Sequence, residues 1–140
     1  MAVRDFLSRL LRLKKRRSPT TAQALGTRGE ALVVVHARRK LGMKIVARNQ
    51  RFVGGELDII AIDGADIVFI EVRTRRSELS GSPERTIGDG KRHFLRRAAR
   101  QFMRQRGLKS FTPRFDVAAV IWPIDGQPVV RYHKNAFSPK

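Results

Sequence analysis

The residues with the clearest potential for chemistry are three acids and one arginine near the middle of the sequence. Glu56 and Asp58 lie in "GELDII", and Glu71 and Arg73 lie in "FIEVRTR". Carboxylate oxygens are preferred ligands of Mg²⁺ and Mn²⁺, and a neighbouring cationic side chain can bind a phosphate oxygen. These residue types therefore indicate metal-assisted chemistry on a phosphodiester.

Two strands joined by a tight turn would bring these side chains together. The segments "ELDIIAI" and "IVFIEVRT" are both typical of β-strands, and "DGAD" between them favours a hairpin that closes through Gly64-Ala65. Closure at that turn pairs Asp63 with Asp66 and fixes the register of every other pair along the two strands.

The predicted register places Asp58 opposite Glu71, and Glu56 opposite Arg73. Directly opposed residues have Cβ atoms roughly 4.5–5.5 Å apart, and like charges there are unfavourable. Two carboxylates in this position need a shared proton, a cation or access to water. We predict a divalent cation site, and the alternative is that both acids simply face solvent.

The strand that contains Glu71 has apolar residues on both faces, which is typical of a central strand. One face carries Ile67 and Phe69 ahead of Glu71 and Arg73, and the other carries Val68, Ile70 and Val72. The pattern of the remaining chain predicts helices over 22–41 and 91–105, strands over 44–52, 115–122 and 128–134, and a loop over 77–90. We expect an α/β domain with a single mixed β-sheet flanked by helices.

The net charge of +18, from 30 Lys and Arg against 12 Asp and Glu, favours a polyanionic partner, most often nucleic acid. The charges are segregated, because residues 54–71 contain five acids and no Lys or Arg, whereas the second predicted helix is strongly basic. An ordinary solvated face is the alternative interpretation of that helix. The residues expected to bind nucleic acid are Arg75, Lys91, Arg92, Arg96, Arg97, Arg100 and Arg104.

Composition limits the other classes of function. The chain has no cysteine, and its longest apolar run, Ala31–Val35, is far shorter than the ~20 residues that span a bilayer. We expect residues 1–22 to form a mobile basic extension and residues 23–140 one domain, in a cytoplasmic protein. A less favoured hypothesis places residues 1–17 on an anionic membrane surface.

The motif "GELDII…FIEVRTR" resembles the D…ExK core of the PD-(D/E)XK nucleases, which have the restriction-endonuclease-like fold. The chain is more closely similar to the YraN-like family of bacterial proteins, which themselves resemble archaeal Holliday-junction resolvases. The similarity runs from about residue 26 to residue 137. It includes "GTRGE", "ARNQR", "GELDII", "FIEVRTR", "RFDV" and "NAF".

The resemblance implies a metal-dependent endonuclease core for DNA, preferably branched DNA, and by analogy a homodimer. Asp58 and Glu71 would be ligands of Mg²⁺ or Mn²⁺, the Val72 carbonyl a third ligand, and Glu30 an acid that assists the site. Arg73 stands where the motif has a lysine, and it keeps the charge but cannot act as a general base. Lys91 could supply the missing amine. The alternative is a non-catalytic nucleic-acid-binding module derived from a nuclease fold.

Overall fold

The computed structural model describes residues 20–140, which form two helices packed on opposite faces of one five-stranded sheet. The elements are α1 (Thr21–Arg39), β1 (Lys44–Phe52), β2 (Gly55–Asp63), β3 (Asp66–Arg75), a 3-10 helix (Pro83–Thr86), α2 (Asp89–Arg106), β4 (Thr112–Ile121) and β5 (Val129–Phe137). The predicted extension lies outside the described residues up to position 19. Within 20–140, neither helix has both the length and the apolar character needed to cross a bilayer.

The sheet has the strand order β1-β2-β3-β4-β5. All neighbouring pairs are antiparallel except β3 and β4, which run parallel and are connected through α2. The prediction of an α/β fold with a single mixed sheet and flanking helices is therefore confirmed. The segment predicted as a loop contains the short 3-10 helix, and β5 extends to Phe137, three residues beyond its predicted end.

The central strand β3 is covered on both sides, as its sequence predicts. Ile67 and Phe69 pack in a core with Phe102 of α2, whereas Val68 and Ile70 pack in a second core with residues of α1. The start of α1 and the end of α2 carry recognisable signals. Thr20 and Gln23 form a reciprocal capping box at the start of α1, and Gly107, at φ 65°, ends α2.

A buried ionic network fixes the far end of the β2–β3 hairpin. The guanidinium of Arg114, on β4, donates to Asp66 at 2.9 Å and to both oxygens of Asp116 at 3.0 Å, and it lies 3.0 Å from Asp63. Asp116 is fully buried and also accepts a hydrogen bond from Tyr132 of β5. This arrangement satisfies the buried charges and gives Asp116 a structural role.

The loop between β3 and α2 is tied to the edge strand β5. Arg131 donates to Glu78 and Glu84, and a ring nitrogen of His133 lies 2.9 Å from Glu84. Burial raises the pKa of Glu84, but the hydrogen bonds from Arg131 and His133 outweigh it and lower the pKa to about 2. These contacts therefore hold the loop that precedes α2 against the edge of the sheet.

Candidate functional site

The pairing of β2 with β3 ends at the point where the predicted acids meet. Asp63 pairs with Asp66 as the turn predicts, and the regular ladder ends at Ile59–Ile70. Beyond that point the Val72 N–H donates to Oδ2 of Asp58 at 3.0 Å. The Asp58 side chain thus bonds directly to the β3 backbone.

The carboxyl groups of Asp58 and Glu71 lie close enough to shift each other's pKa. Glu71 is only 5% exposed, and its Oε2 atom has no hydrogen-bond partner among the described residues. A buried carboxylate oxygen against a second carboxylate is unfavourable without a proton or a cation between them. This pair satisfies the condition that motivated the predicted cation site.

The prediction that Glu56 lies opposite Arg73 is wrong. Glu56 does not lie opposite Arg73; it pairs with Arg51 on the edge strand β1. The regular β2–β3 ladder ends before it reaches position 56, so Glu56 has its strand partner on β1 and not on β3. Arg73 contacts Glu71 instead, with its Nε atom 3.4 Å from Oε1.

A cluster of three acids lies on the α1 side of this pair. One carboxylate oxygen each of Glu30, Glu56 and Asp58 lies within 4.8 Å of the other two. Glu30 comes from α1, and the other two come from the start of β2. Glu56 was not predicted to be a metal ligand. It lies two residues before Asp58, and this spacing places both side chains on the same face of a strand, which could have identified Glu56 as a further acid of the site.

Burial raises the pKa values of Glu30, Asp58 and Glu71, and neighbouring carboxylates add to the shift for Glu30 and Glu71. For Glu30, burial and then the charges of Asp58 and Glu56 raise the pKa to about 7, against a lowering by Arg48. For Glu71, burial and then Asp58 raise the pKa to about 7, although Lys91 and Arg73 oppose the shift. Burial also raises the pKa of Asp58, against the Val72 N–H and Lys91.

The donor set fits a hard divalent cation. All four side chains offer oxygen atoms, and three different elements position them. Burial is the first cause of the raised pKa values of Glu30, Asp58 and Glu71, and a bound cation would stabilise these carboxylates in their charged form. An open cavity of about 660 Å³, bordered by Thr27 and Glu30 on one side and by Arg51 and Glu56 on the other, gives access to the cluster. The predicted role of the Val72 carbonyl stays a prediction.

Two basic side chains reach Glu71 from different elements. The Nζ atom of Lys91, near the start of α2, lies 3.4 Å from Oε1 of Glu71, the same oxygen that Arg73 approaches. The structure therefore brings an amine as close to Glu71 as the guanidinium of Arg73, and the prediction that Lys91 supplies the missing amine stays a prediction. The source of this amine is a helix and not the strand that carries the motif.

The other predicted nucleic-acid-binding residues differ in how free their side chains are. Arg96 donates to the Ser138 carbonyl and Arg97 to the Val53 carbonyl, at 2.8 and 2.9 Å. Among the remaining members of the group, Arg75 is exposed and donates to the Thr74 carbonyl, Arg92 lies over the ring of Phe137, and Arg100 and Arg104 are exposed on the outer face of α2.

An α/β domain with one mixed sheet, a helix on each face and acids gathered at the end of its central hairpin is consistent with the restriction-endonuclease-like fold. A family model described as "Uncharacterised protein family UPF0102" matches residues 29–120, and the chain belongs to this family. The predicted membership of the YraN-like family is therefore confirmed.

Similar proteins carry the same family description. A UPF0102 protein of Geotalea uraniireducens is 39% identical over 116 residues, which cover 82% of this chain and 90% of that protein. A UPF0102 protein of Geobacter sulfurreducens is 37% identical over 113 residues, covering 81% and 88%. A UPF0102 protein of Moorella thermoacetica is 48% identical over 79 residues, covering 56% and 66%.

Proposed function

We propose that this protein is a divalent-cation-dependent endonuclease that hydrolyses phosphodiester bonds in DNA, with a preference for branched DNA. The observation that carries the proposal is the convergence of four carboxylates. Glu30, Glu56 and Asp58 gather within 4.8 Å, and Asp58 also contacts the buried, incompletely satisfied Glu71. Mg²⁺ or Mn²⁺ bound to carboxylates, beside basic side chains, is a recurrent solution for phosphoryl chemistry.

The roles of the residues follow from their chemistry. Asp58 and Glu71 would hold the cation, with Glu30 and Glu56 completing the acidic wall. When bound, a divalent cation supplies Lewis-acid stabilisation of the charge that develops on the phosphate. Arg73 stays protonated and contributes positive charge, whereas Lys91 can both bind a phosphate oxygen and exchange a proton.

Nucleic acid is the partner that the charge of the protein favours. The net charge is +18, and the exposed Arg100, Arg104 and Lys109 extend the positive surface along and beyond α2. Arg104 lies 13 positions after Lys91 in α2, which is roughly 20 Å along the helix axis. This distance suits contacts with phosphates that flank the one being cleaved.

The second candidate function is a non-catalytic nucleic-acid-binding module. The arginine at position 73 favours it, since Arg73 approaches Glu71 at 3.4 Å in an ion pair that neutralises part of the acidic site without a metal. Such a protein would bind DNA with the same surface, and its affinity would not depend on Asp58 or Glu71.

Cleavage of a panel of labelled DNA structures tests the two functions. Wild-type protein is incubated with four-way, flap, duplex and single-stranded DNA in Mg²⁺, Mn²⁺ or EDTA, beside Asp58→Asn and Glu71→Gln. We expect cation-dependent cleavage of the four-way or flap substrate, which falls at least about 100-fold in both variants because the cation loses a ligand. Asp125→Asn removes an exposed acid on the β4–β5 turn and should cleave normally.

DNA affinity, measured in parallel in EDTA, separates the outcomes. Wild-type protein that binds DNA and cuts no substrate with either cation would establish the non-catalytic module. Cleavage that persists equally in Asp58→Asn and Glu71→Gln would show that the proposed residues do not form the active site.

A further inference from the structure

Asn49 has an unusual backbone conformation beside the acidic cluster. It lies in β1 with φ 51°, a region that residues other than glycine seldom adopt, and Asn135 at φ 54° is the other non-glycine example among residues 20–140. The pairs Arg48–Ile59 and Gln50–Leu57 flank it, so Asn49 stands across from Asp58 on the neighbouring strand.

The side-chain amide of Asn49 joins two of the clustered acids. Its nitrogen donates to Oε2 of Glu30 and to Oε1 of Glu56, each at 2.9 Å. This orientation of the amide is assigned from the hydrogen bonds, because the opposite one would turn its oxygen toward acceptors only. Asn49 therefore links an acid on α1 to an acid on β2.

An amide suits this position for a specific reason. Its NH₂ group has two donors, so it can serve one oxygen of each carboxylate and leave the second oxygen of each without a bond to the amide. The second oxygen of Glu56 lies 3.7 Å from Nε of the exposed Arg51. Without these donors, the two neighbouring carboxylates would repel each other, and the half-buried Glu30 and Glu56 could turn toward water. The arrangement fixes both acids before any ligand arrives.

We infer that Asn49 is a positioning residue that holds Glu30 and Glu56 in place for a divalent cation. This inference rests on the proposed function, because it assigns a task at the same cation site. Asn49 acts through the two carboxylates and contacts neither the cation nor the DNA. Partners that orient metal ligands in this way typically contribute about 10–100-fold to metal affinity.

Calorimetric titration of the full-length protein with Mn²⁺ tests this role. Asn49→Gly removes the amide and keeps a residue that accepts positive φ, and Asn135→Gly is the matched control at the other asparagine with this conformation. We expect Mn²⁺ affinity to fall at least about 10-fold in Asn49→Gly and to stay unchanged in Asn135→Gly. The thermal unfolding midpoint in EDTA should be similar for the two variants.

A double-mutant cycle distinguishes positioning from a general structural effect. In a Glu30→Gln, Glu56→Gln background, Asn49→Gly should cause little further loss of Mn²⁺ affinity, since its partners are already changed. If wild-type protein binds Mn²⁺ and Asn49→Gly binds it equally well, the inference is overturned and the proposed function stands. If wild-type protein binds no Mn²⁺ with or without DNA, the proposed function fails, and the inference fails with it.

Discussion

At the scale of single residues, two basic side chains from different elements approach one oxygen of Glu71. Arg73 occupies the motif position of the lysine, yet Lys91 reaches the same oxygen of Glu71 from α2 at the same distance of 3.4 Å. Both basic side chains lower the pKa of Glu71 and so oppose the effect of burial. Under the proposed function, the amine of Lys91 would take the role that the motif gives to its lysine.

We predict that Lys91→Gln lowers DNA cleavage about 100-fold, since it removes the donor nearest the site that can also exchange a proton. Arg73→Lys should keep most of the activity because it preserves the charge beside Glu71. The measurement is the single-turnover cleavage rate in Mg²⁺. Lys44→Gln, which removes an exposed positive charge at the start of β1, is the control. Equal losses in Lys91→Gln and Lys44→Gln would show that Lys91 has no specific role in cleavage.

The residues of the site were predictable to different degrees. The proximity of Asp58 and Glu71 follows from one turn and the two-residue period of strands, and the two carboxyl groups shift each other's pKa. Glu56 and Asn49 were missed for a physical reason. Their neighbours depend on how the edge strand β1 pairs with β2, and on a positive φ at Asn49 that alternation does not encode.

At the scale of elements, the reach of Glu30 into the site depends on how closely α1 approaches β3. Gly29, the residue before Glu30, is buried directly against Thr74, and a Cβ atom at this position would clash with Oγ1 of Thr74. Gly26, one turn earlier on the same helix, has no atom within 4 Å of such a Cβ. The close packing of α1 on β3 therefore requires a glycine at position 29 and not at position 26.

We predict that Gly29→Ala destabilises the protein by about 1–3 kcal/mol, because α1 must move away from β3 to accommodate the methyl group. Gly26→Ala should be neutral or slightly stabilising, since alanine is the better helix former. Urea unfolding of both variants gives the comparison. Adding Thr74→Ala to Gly29→Ala should recover part of the stability, and a Gly29→Ala protein as stable as Gly26→Ala would refute the close approach.

The elements themselves were largely predictable, because each is marked by a local signal. The alternation in β2 and β3, the apolar residues on both faces of β3 and the glycine after α2 all gave elements that the structure contains. The early end of the β2–β3 ladder was not predictable. The ladder ends where the Asp58 carboxylate accepts a hydrogen bond from the Val72 N–H. A register predicted from the turn includes only hydrogen bonds between backbone groups, so it cannot predict this side-chain bond.

At the scale of the whole molecule, the acids are concentrated in a few places. Of the twelve Asp and Glu residues, nine lie in three groups: Glu30, Glu56, Asp58 and Glu71 at the candidate site, Asp63, Asp66 and Asp116 around Arg114, and Glu78 and Glu84 on Arg131. Among residues 20–140, most Lys and Arg side chains form no salt bridge with another described residue. A surface of this kind attracts polyanions over long distances.

We predict that replacing Arg100 and Arg104 together by glutamine weakens DNA binding and flattens its salt dependence. The slope of log affinity against log salt should become shallower by about 0.9 for each phosphate that the variant no longer neutralises. Fluorescence anisotropy over a KCl series measures both quantities. Replacing Arg38 and Arg39 by glutamine removes the same charge at the end of α1. An identical change in both double variants would mean that only net charge matters.

The separation of acids from bases in this molecule also affects how a small cation would load. A strongly positive protein depletes free divalent ions from its surroundings, whereas DNA brings a concentrated layer of counterions with it. A cation held by Asp58 and Glu71 should therefore bind more tightly once a nucleic acid has covered the basic surface. By thermodynamic linkage, the bound cation would raise the affinity of the protein for the nucleic acid by the same factor.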